Sequence, residues 1–61
     1  MKTYIGKPLT IKAGTIVARA GIRTKRTADS IVTIRAQKPA RNGKVRVYWK
    51  SNGLIASALI A

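Results

Sequence analysis

Apolar and polar residues alternate with a period of two along much of the chain. The clearest run is Val45 to Lys50, where Val45, Val47 and Trp49 share one phase and Arg46, Tyr48 and Lys50 share the other. A period of two is the signature of a strand with one buried face. Shorter runs predict strands at Leu9 to Lys12, Thr15 to Ala20, Ile31 to Gln37 and Leu54 to Leu59. These stretches are rich in Ile, Val and Thr, whose branched side chains suit a pleated surface. Turn signals separate them at Ala13-Gly14, Asn42-Gly43 and Ser51-Asn52-Gly53; the Asn-Gly pairs suit the positive φ angles of a tight hairpin. Ile22 to Ser30 breaks the alternation and reads as a polar, basic loop, while residues 1–8 read as a loose N-terminal arm. Ala56, Ala58 and Leu59 are good helix formers, so a short C-terminal helical turn is an alternative ending for the last strand. The pattern predicts an all-β domain of five short strands, either a small barrel or a rolled antiparallel sheet. Its expected core is Leu9, Ile11, Ile16, Ala18, Val32, Ile34, Val45, Val47, Trp49 and parts of Leu54 to Ile60.

Length and charge sharpen this picture. Sixty-one residues hold one domain, 1–61, and a chain this short folds alone only marginally. No cysteine is present to staple it, and 13 Lys and Arg stand against a single acid, Asp29, for a net charge of +12. Mutual repulsion on that scale opposes compaction and is relieved by a polyanion. Hydrophobic residues make up 46 % of the chain, which sets it apart from a disordered basic tail. The N-terminus has no apolar run of the kind a secretory signal carries, and Gly53 to Ala61 is far shorter than the ~20 residues a spanning helix needs. A cytoplasmic location, beside the nucleoid if DNA is the partner, is the expectation, with no membrane partner.

The residue inventory argues against catalysis. With no histidine or cysteine and one carboxylate, the chain offers no carboxylate pair, no His- or Cys-based nucleophile and no metal-ligand set; Lys–Ser chemistry is conceivable, but no motif points to it. Its glycines are scattered and form no phosphate-binding fingerprint. We expect no enzyme activity, no catalytic residues, no metal and no cofactor.

The candidate chemistry is therefore cationic. Arg46, Tyr48 and Lys50 share one strand face, and across the Asn42-Gly43 turn the phase adds Arg35 and Thr33 to it. Cations set phosphate affinity, and an aromatic ring can stack on a base or sugar. Trp49 is in phase with Val45 and Val47 and belongs to the core; a stacking role would require it to be exposed. Arg23-Thr24-Lys25-Arg26-Thr27 concentrates three cations and two hydroxyls in a candidate phosphate clamp. Lys38, Arg41 and Lys44 surround the Asn42-Gly43 tip, which could enter a groove or discourage edge pairing. Asp29 and Ser30 are expected to shape the exit of the basic loop through side-chain bonds to backbone.

Gly43-Lys44-Val45-Arg46-Val47-Tyr48-Trp49, followed by Asn52-Gly53 and an apolar last strand, resembles the late hairpin of SH3-like small β-barrels. The resemblance spans roughly Ile16 to Ile60 on generic motifs. It implies a five-stranded SH3-like barrel, an architecture whose small basic members include chromatin and ribosomal proteins that bind nucleic acid through a sheet face. The chain departs from archaeal chromatin proteins of similar size, which are rich in both Lys and Glu and end in a helix. An OB-type barrel is the alternative, although only three aromatics are present for stacking. The expected partner is nucleic acid, double-stranded DNA before RNA, bound by its phosphates with little sequence preference. The competing readings are a phage- or plasmid-type protein that docks on and inhibits an acidic host protein, and a ribonucleoprotein component. Leu54 to Ile60 is apolar on both faces, which gives a homodimer through that strand a physical motive.

Overall fold

The computed structural model describes residues 3–60 and consists of seven antiparallel strands in two sheets. They are β1 (Pro8–Ile11), β2 (Ile16–Arg19), β3 (Ile22–Lys25), β4 (Ser30–Thr33), β5 (Ala36–Pro39), β6 (Val45–Ser51) and β7 (Leu54–Ile60). One sheet has the order β3-β2-β7-β6-β5, and the other is the pair β1-β4. The all-β class is as the alternation predicts. The sheets are not closed into a barrel, and β7 is extended through Ile60 with no C-terminal helical turn.

Three hairpins set the register of the large sheet. Ser51 pairs with Leu54 around Asn52 and Gly53, both at positive φ (50° and 79°), as a two-residue type I′ turn requires. Arg19 pairs with Ile22 around Ala20 and Gly21 in the same way (φ 53° and 79°), so what reads as a loop after Gly21 is strand β3. Between β5 and β6 the chain makes a single 3-10 turn, Arg41–Gly43, with Asn42 in the left-handed region at φ 59°. The β2–β7 ladder, with Val17 opposite Ala58, joins the first hairpin to the last.

The predicted strand Ile31 to Gln37 is two strands. β4 ends at Thr33 and pairs with β1; the chain crosses at Ile34 and Arg35 into the other layer and continues as β5 beside β6. Ile34 is fully buried at this crossover, where its N–H donates to Lys7 O and its carbonyl accepts from Gly6 N. Those bonds hold the segment before β1 in place, and the Tyr4 N–H donates to Gln37 Oε1 at 2.6 Å. Met1 and Lys2 of the expected N-terminal arm lie outside the described residues.

The core lies between the layers. Val17, Val45, Val47, Trp49, Ala56 and Ala58 cover the inner face of the large sheet, with Ile11 and Ile34 opposite them; Tyr4, Leu9, Val32 and Ile60 pack at its border. Burying a Val, Ile or Trp side chain contributes about 1.5–3 kcal/mol. One phase differs from expectation. Val17, not Ile16 and Ala18, points inward, because pairing with Ala58 places it on the buried face and leaves Ile16 50 % exposed. The run Ile16-Val17-Ala18 is apolar in both phases, so alternation alone could not choose.

Candidate nucleic-acid interface

The outer face of the large sheet is where the predicted cations collect. Directly paired residues of antiparallel strands share a face, so the registers can be followed across the sheet. Lys38 pairs with Arg46 and Arg46 with Leu59; Tyr48 pairs with Ala36 and with Ser57; Ser57 pairs with Ala18, which pairs with Arg23; Lys50 pairs with Ile55, and Lys25 with Ile16. Arg23, Lys25, Lys38, Arg46 and Lys50 therefore project from one surface, together with Tyr48. At about 4.8 Å between strands, the surface is about 19 Å wide from β3 to β5.

The middle of this surface is shallow. Ala18 and Ser57 are small, and the Arg46 guanidinium donates to Ser57 Oγ at 3.3 Å, which lays the arginine across β7. Arg23 and Arg46 border one depression with Thr15, Ile16, Ala18 and Leu59. Two guanidinium groups thus flank a floor of methyl groups. Among the described residues no acidic side chain interrupts them: Asp29 lies in the connection from β3 to β4, and its Oδ1 accepts the Ala13 N–H at 2.8 Å. That bond ties the β1–β2 turn to the β3–β4 connection, a longer reach than the local loop role expected from sequence.

The remaining candidates fall elsewhere. Arg41 and Lys44 are exposed on the β5–β6 turn, extending the cationic surface past its Lys38–Arg46 edge. Arg35 stands in the crossover before β5, where its N–H donates to Tyr48 O, and it lines a depression shared with Ile5, Ile31 and Lys50. It therefore borders the face near Lys50 without belonging to its register. Thr33, expected beside it, pairs with Pro8 in the small sheet. The expected clamp of Arg23, Lys25 and Arg26 is divided. Strand alternation in β3 sends Arg23 and Lys25 outward, whereas Arg26 turns toward the interlayer gap and donates from Nη2 to Ser30 Oγ.

The surface also has an aliphatic part, of which the two-sided apolar strand Leu54 to Ile60 foretells Ile55 and Leu59 but not Ile16. Ile16 is 50 %, Ile55 55 % and Leu59 42 % exposed among the cations. For Ile55 and Leu59 the signal was present, since an apolar strand on both faces leaves one face uncovered. Ile16 reads as core from the sequence because Ile16-Val17-Ala18 is apolar in both phases, and the β2–β7 pairing turns it outward. Among the described residues no helix is long and apolar enough to cross a membrane. In comparisons with family models, curated proteins and solved structures, none matches this chain.

Proposed function

We propose that this protein binds nucleic acid through the outer face of its large sheet, by its phosphates and without catalysis, with double-stranded DNA as the first-choice polymer. The observation that carries the reading is the convergence of Arg23, Lys25, Lys38, Arg46 and Lys50 on one surface that has no acidic side chain among the described residues. A duplex presents one negative charge per ~1.7 Å of its axis, so a surface about 19 Å wide meets several phosphates at once. Arg41 and Lys44 on the turn and Arg35 at the crossover lie where they add flanking contacts. Phosphate contacts carry no sequence information, and base-edge readout would fall to the arginines.

The test is binding of labelled duplex across a salt series, with single-stranded DNA and RNA beside it. Log K falls against log salt by about 0.9 per phosphate contacted, and about five contacts are expected. Reversing two charges in the double variant Arg23→Glu, Arg46→Glu lowers duplex affinity at low salt at least ~100-fold and flattens the slope by about two contacts. Unchanged affinity in a folded variant places the interface elsewhere.

The exposed Ile16, Ile55 and Leu59 favour a second reading, a protein partner or second copy with an acidic rim and an apolar centre. A stoichiometric protein that stays bound after nuclease treatment, or a dimer mass by light scattering, distinguishes it from the first.

A further inference from the structure

On the other side of the same sheet, the interlayer gap opens into a small recess whose polar lining is entirely cationic or hydroxylic. Arg19, Thr24, Arg26 and Ser51 form its walls, and Trp49 and Val17 lie beneath them. The topology explains the gathering. Arg19 is in phase with Val17 on the inner face of β2; Thr24 pairs with Val17; and Arg26 continues that phase beyond β3, its N–H donating to Thr15 O. Ser51, the last residue of β6, reaches the recess from the other side, and its Oγ lies 3.4 Å from Arg19 Nη1.

Two features mark this recess as more than a charged rim. Among the described residues no carboxylate lines it, so two guanidinium groups face one small space uncompensated. The Nε of Arg26 is also buried with no acceptor within reach, although Nη2 of the same group is held by Ser30 Oγ. A buried donor without an acceptor is costly, and a guanidinium is suited to give two parallel hydrogen bonds to an oxyanion.

We propose that this recess binds a phosphate-type oxyanion, held by the guanidinium groups of Arg19 and Arg26 and by the hydroxyls of Thr24 and Ser51. The anion relieves the repulsion between the arginines and supplies the acceptor that Arg26 Nε lacks. It can be free inorganic phosphate or the terminal phosphate of a nucleic acid, since the contacts recognise the same oxygens. The site is separate from the outer face, from which Arg19 and Arg26 point away.

Trp49, the only tryptophan of the chain, lies under the recess and reports on it. Inorganic phosphate added at constant ionic strength, with chloride as the balancing anion, produces a saturable change in Trp49 emission and shifts the Arg26 Nε–H resonance. Arg19→Gln and Arg26→Gln each raise half-saturation at least ~10-fold, because each removes one charge-assisted donor, while Arg26→Lys keeps the charge and retains part of the response. The Arg23→Glu, Arg46→Glu protein keeps the full response, so failure of the outer-face reading leaves this result intact. In that background, oligonucleotides with and without a 5′-phosphate identify the source. A response to the phosphorylated form alone, displaced by inorganic phosphate, assigns the site to a nucleic-acid end; a response to neither assigns it to the free ion. If Arg26→Gln fails to fold, Arg19→Gln and Ser51→Ala carry the test, since Arg19 is exposed and Ser51 ends its strand. No saturable signal in either readout, or an equal response in the arginine variants, overturns the proposal.

Discussion

The two faces of the five-stranded sheet are built from the same strands and do opposite things. Along β6, Val45, Val47 and Trp49 are buried against the second layer, while Arg46, Tyr48 and Lys50 face outward. Along β7, Ala56 and Ala58 are buried and Ile55 and Leu59 exposed. The inner face excludes water over its core, where Ala56 and Ala58 of β7 cluster with Val17, Val45, Val47 and Trp49. The outer face sets aliphatic and small residues between most of its cations, but Lys38 stands directly opposite Arg46, a like-charge pair that an anion would relieve. A 61-residue chain has little core to spare, and uncompensated cations on its outer face oppose the compaction that the core drives. Substitutions one residue apart should therefore fail by different routes: through folding on the inner face, through the proposed binding on the outer one.

The largest loss should follow from Trp49→Ala on the inner face. Trp49 is 4 % exposed in the core cluster, and its cross-strand partner Ala56 is too small to fill the space it would leave. A large aromatic truncated in a core costs about 3–5 kcal/mol, a large share of the stability of a marginal domain. Chemical denaturation should find the variant largely unfolded at 25 °C. A midpoint within about 1 kcal/mol of the parent would mean that the inner face is not the core.

A smaller effect should come from the turn that orients β3. Ala20 sits at φ 53°, a region that disfavours a side chain with Cβ by about 1–2 kcal/mol and that asparagine tolerates better. Its partner Gly21, at φ 79°, occupies the same region without that cost. Ala20→Asn should stabilise the fold by about 1 kcal/mol, raising Tm by about 4–8 °C. It should leave nucleic-acid affinity unchanged, because the turn already holds Arg23 and Lys25 outward. A slip of one residue here would exchange them with Thr24. If the variant destabilises, the β2–β3 register is not governed by this turn.

That turn also shows where the sequence could be read and where it could not. Asn42-Gly43 and Asn52-Gly53 announce their conformation by residue type, and the hairpin from β6 to β7 follows with the correct phase. Ala20-Gly21 makes the same kind of turn as Asn52-Gly53 with a residue that seldom adopts it, so β3 was hidden in an apparent loop. The split between β4 and β5 carries no Gly or Pro; it is set by Ile34, whose burial pins the crossover between layers. The phase of β2 depends on pairing with β7, a contact about forty residues away that local alternation does not encode. Of the cationic surface, Arg46, Tyr48 and Lys50 were legible because their strand alternates cleanly. Arg23 and Lys25 read as part of a basic, hydroxyl-bearing loop and Lys38 as flanking a hairpin tip, and only the register places them on that surface. The division of Arg23 and Lys25 from Arg26 required knowing that β3 is a strand at all.

The smallest expected effect separates the modes of binding available to the outer face. Tyr48 is half-buried between Ala36 and Ser57, both small, so its ring has little cross-strand packing to lose. Tyr48→Ala should change stability by about 0.5 kcal/mol, in contrast to the loss at its neighbour Trp49. If phosphate contact dominates, duplex affinity should fall by no more than about twofold and the salt slope should stay the same, because no cation has been removed. Single-stranded affinity should respond more, since a ring that stacks on an unpaired base contributes about 1–3 kcal/mol. The informative quantity is the ratio of the two affinities in parent and variant, measured by anisotropy in one buffer. A ratio that shifts toward duplex identifies Tyr48 as a stacking platform set among phosphate contacts. A duplex affinity that collapses with an unchanged fold would show that the ring, and not the charge around it, holds the polymer, and the outer face would then need to be understood as a single-strand surface.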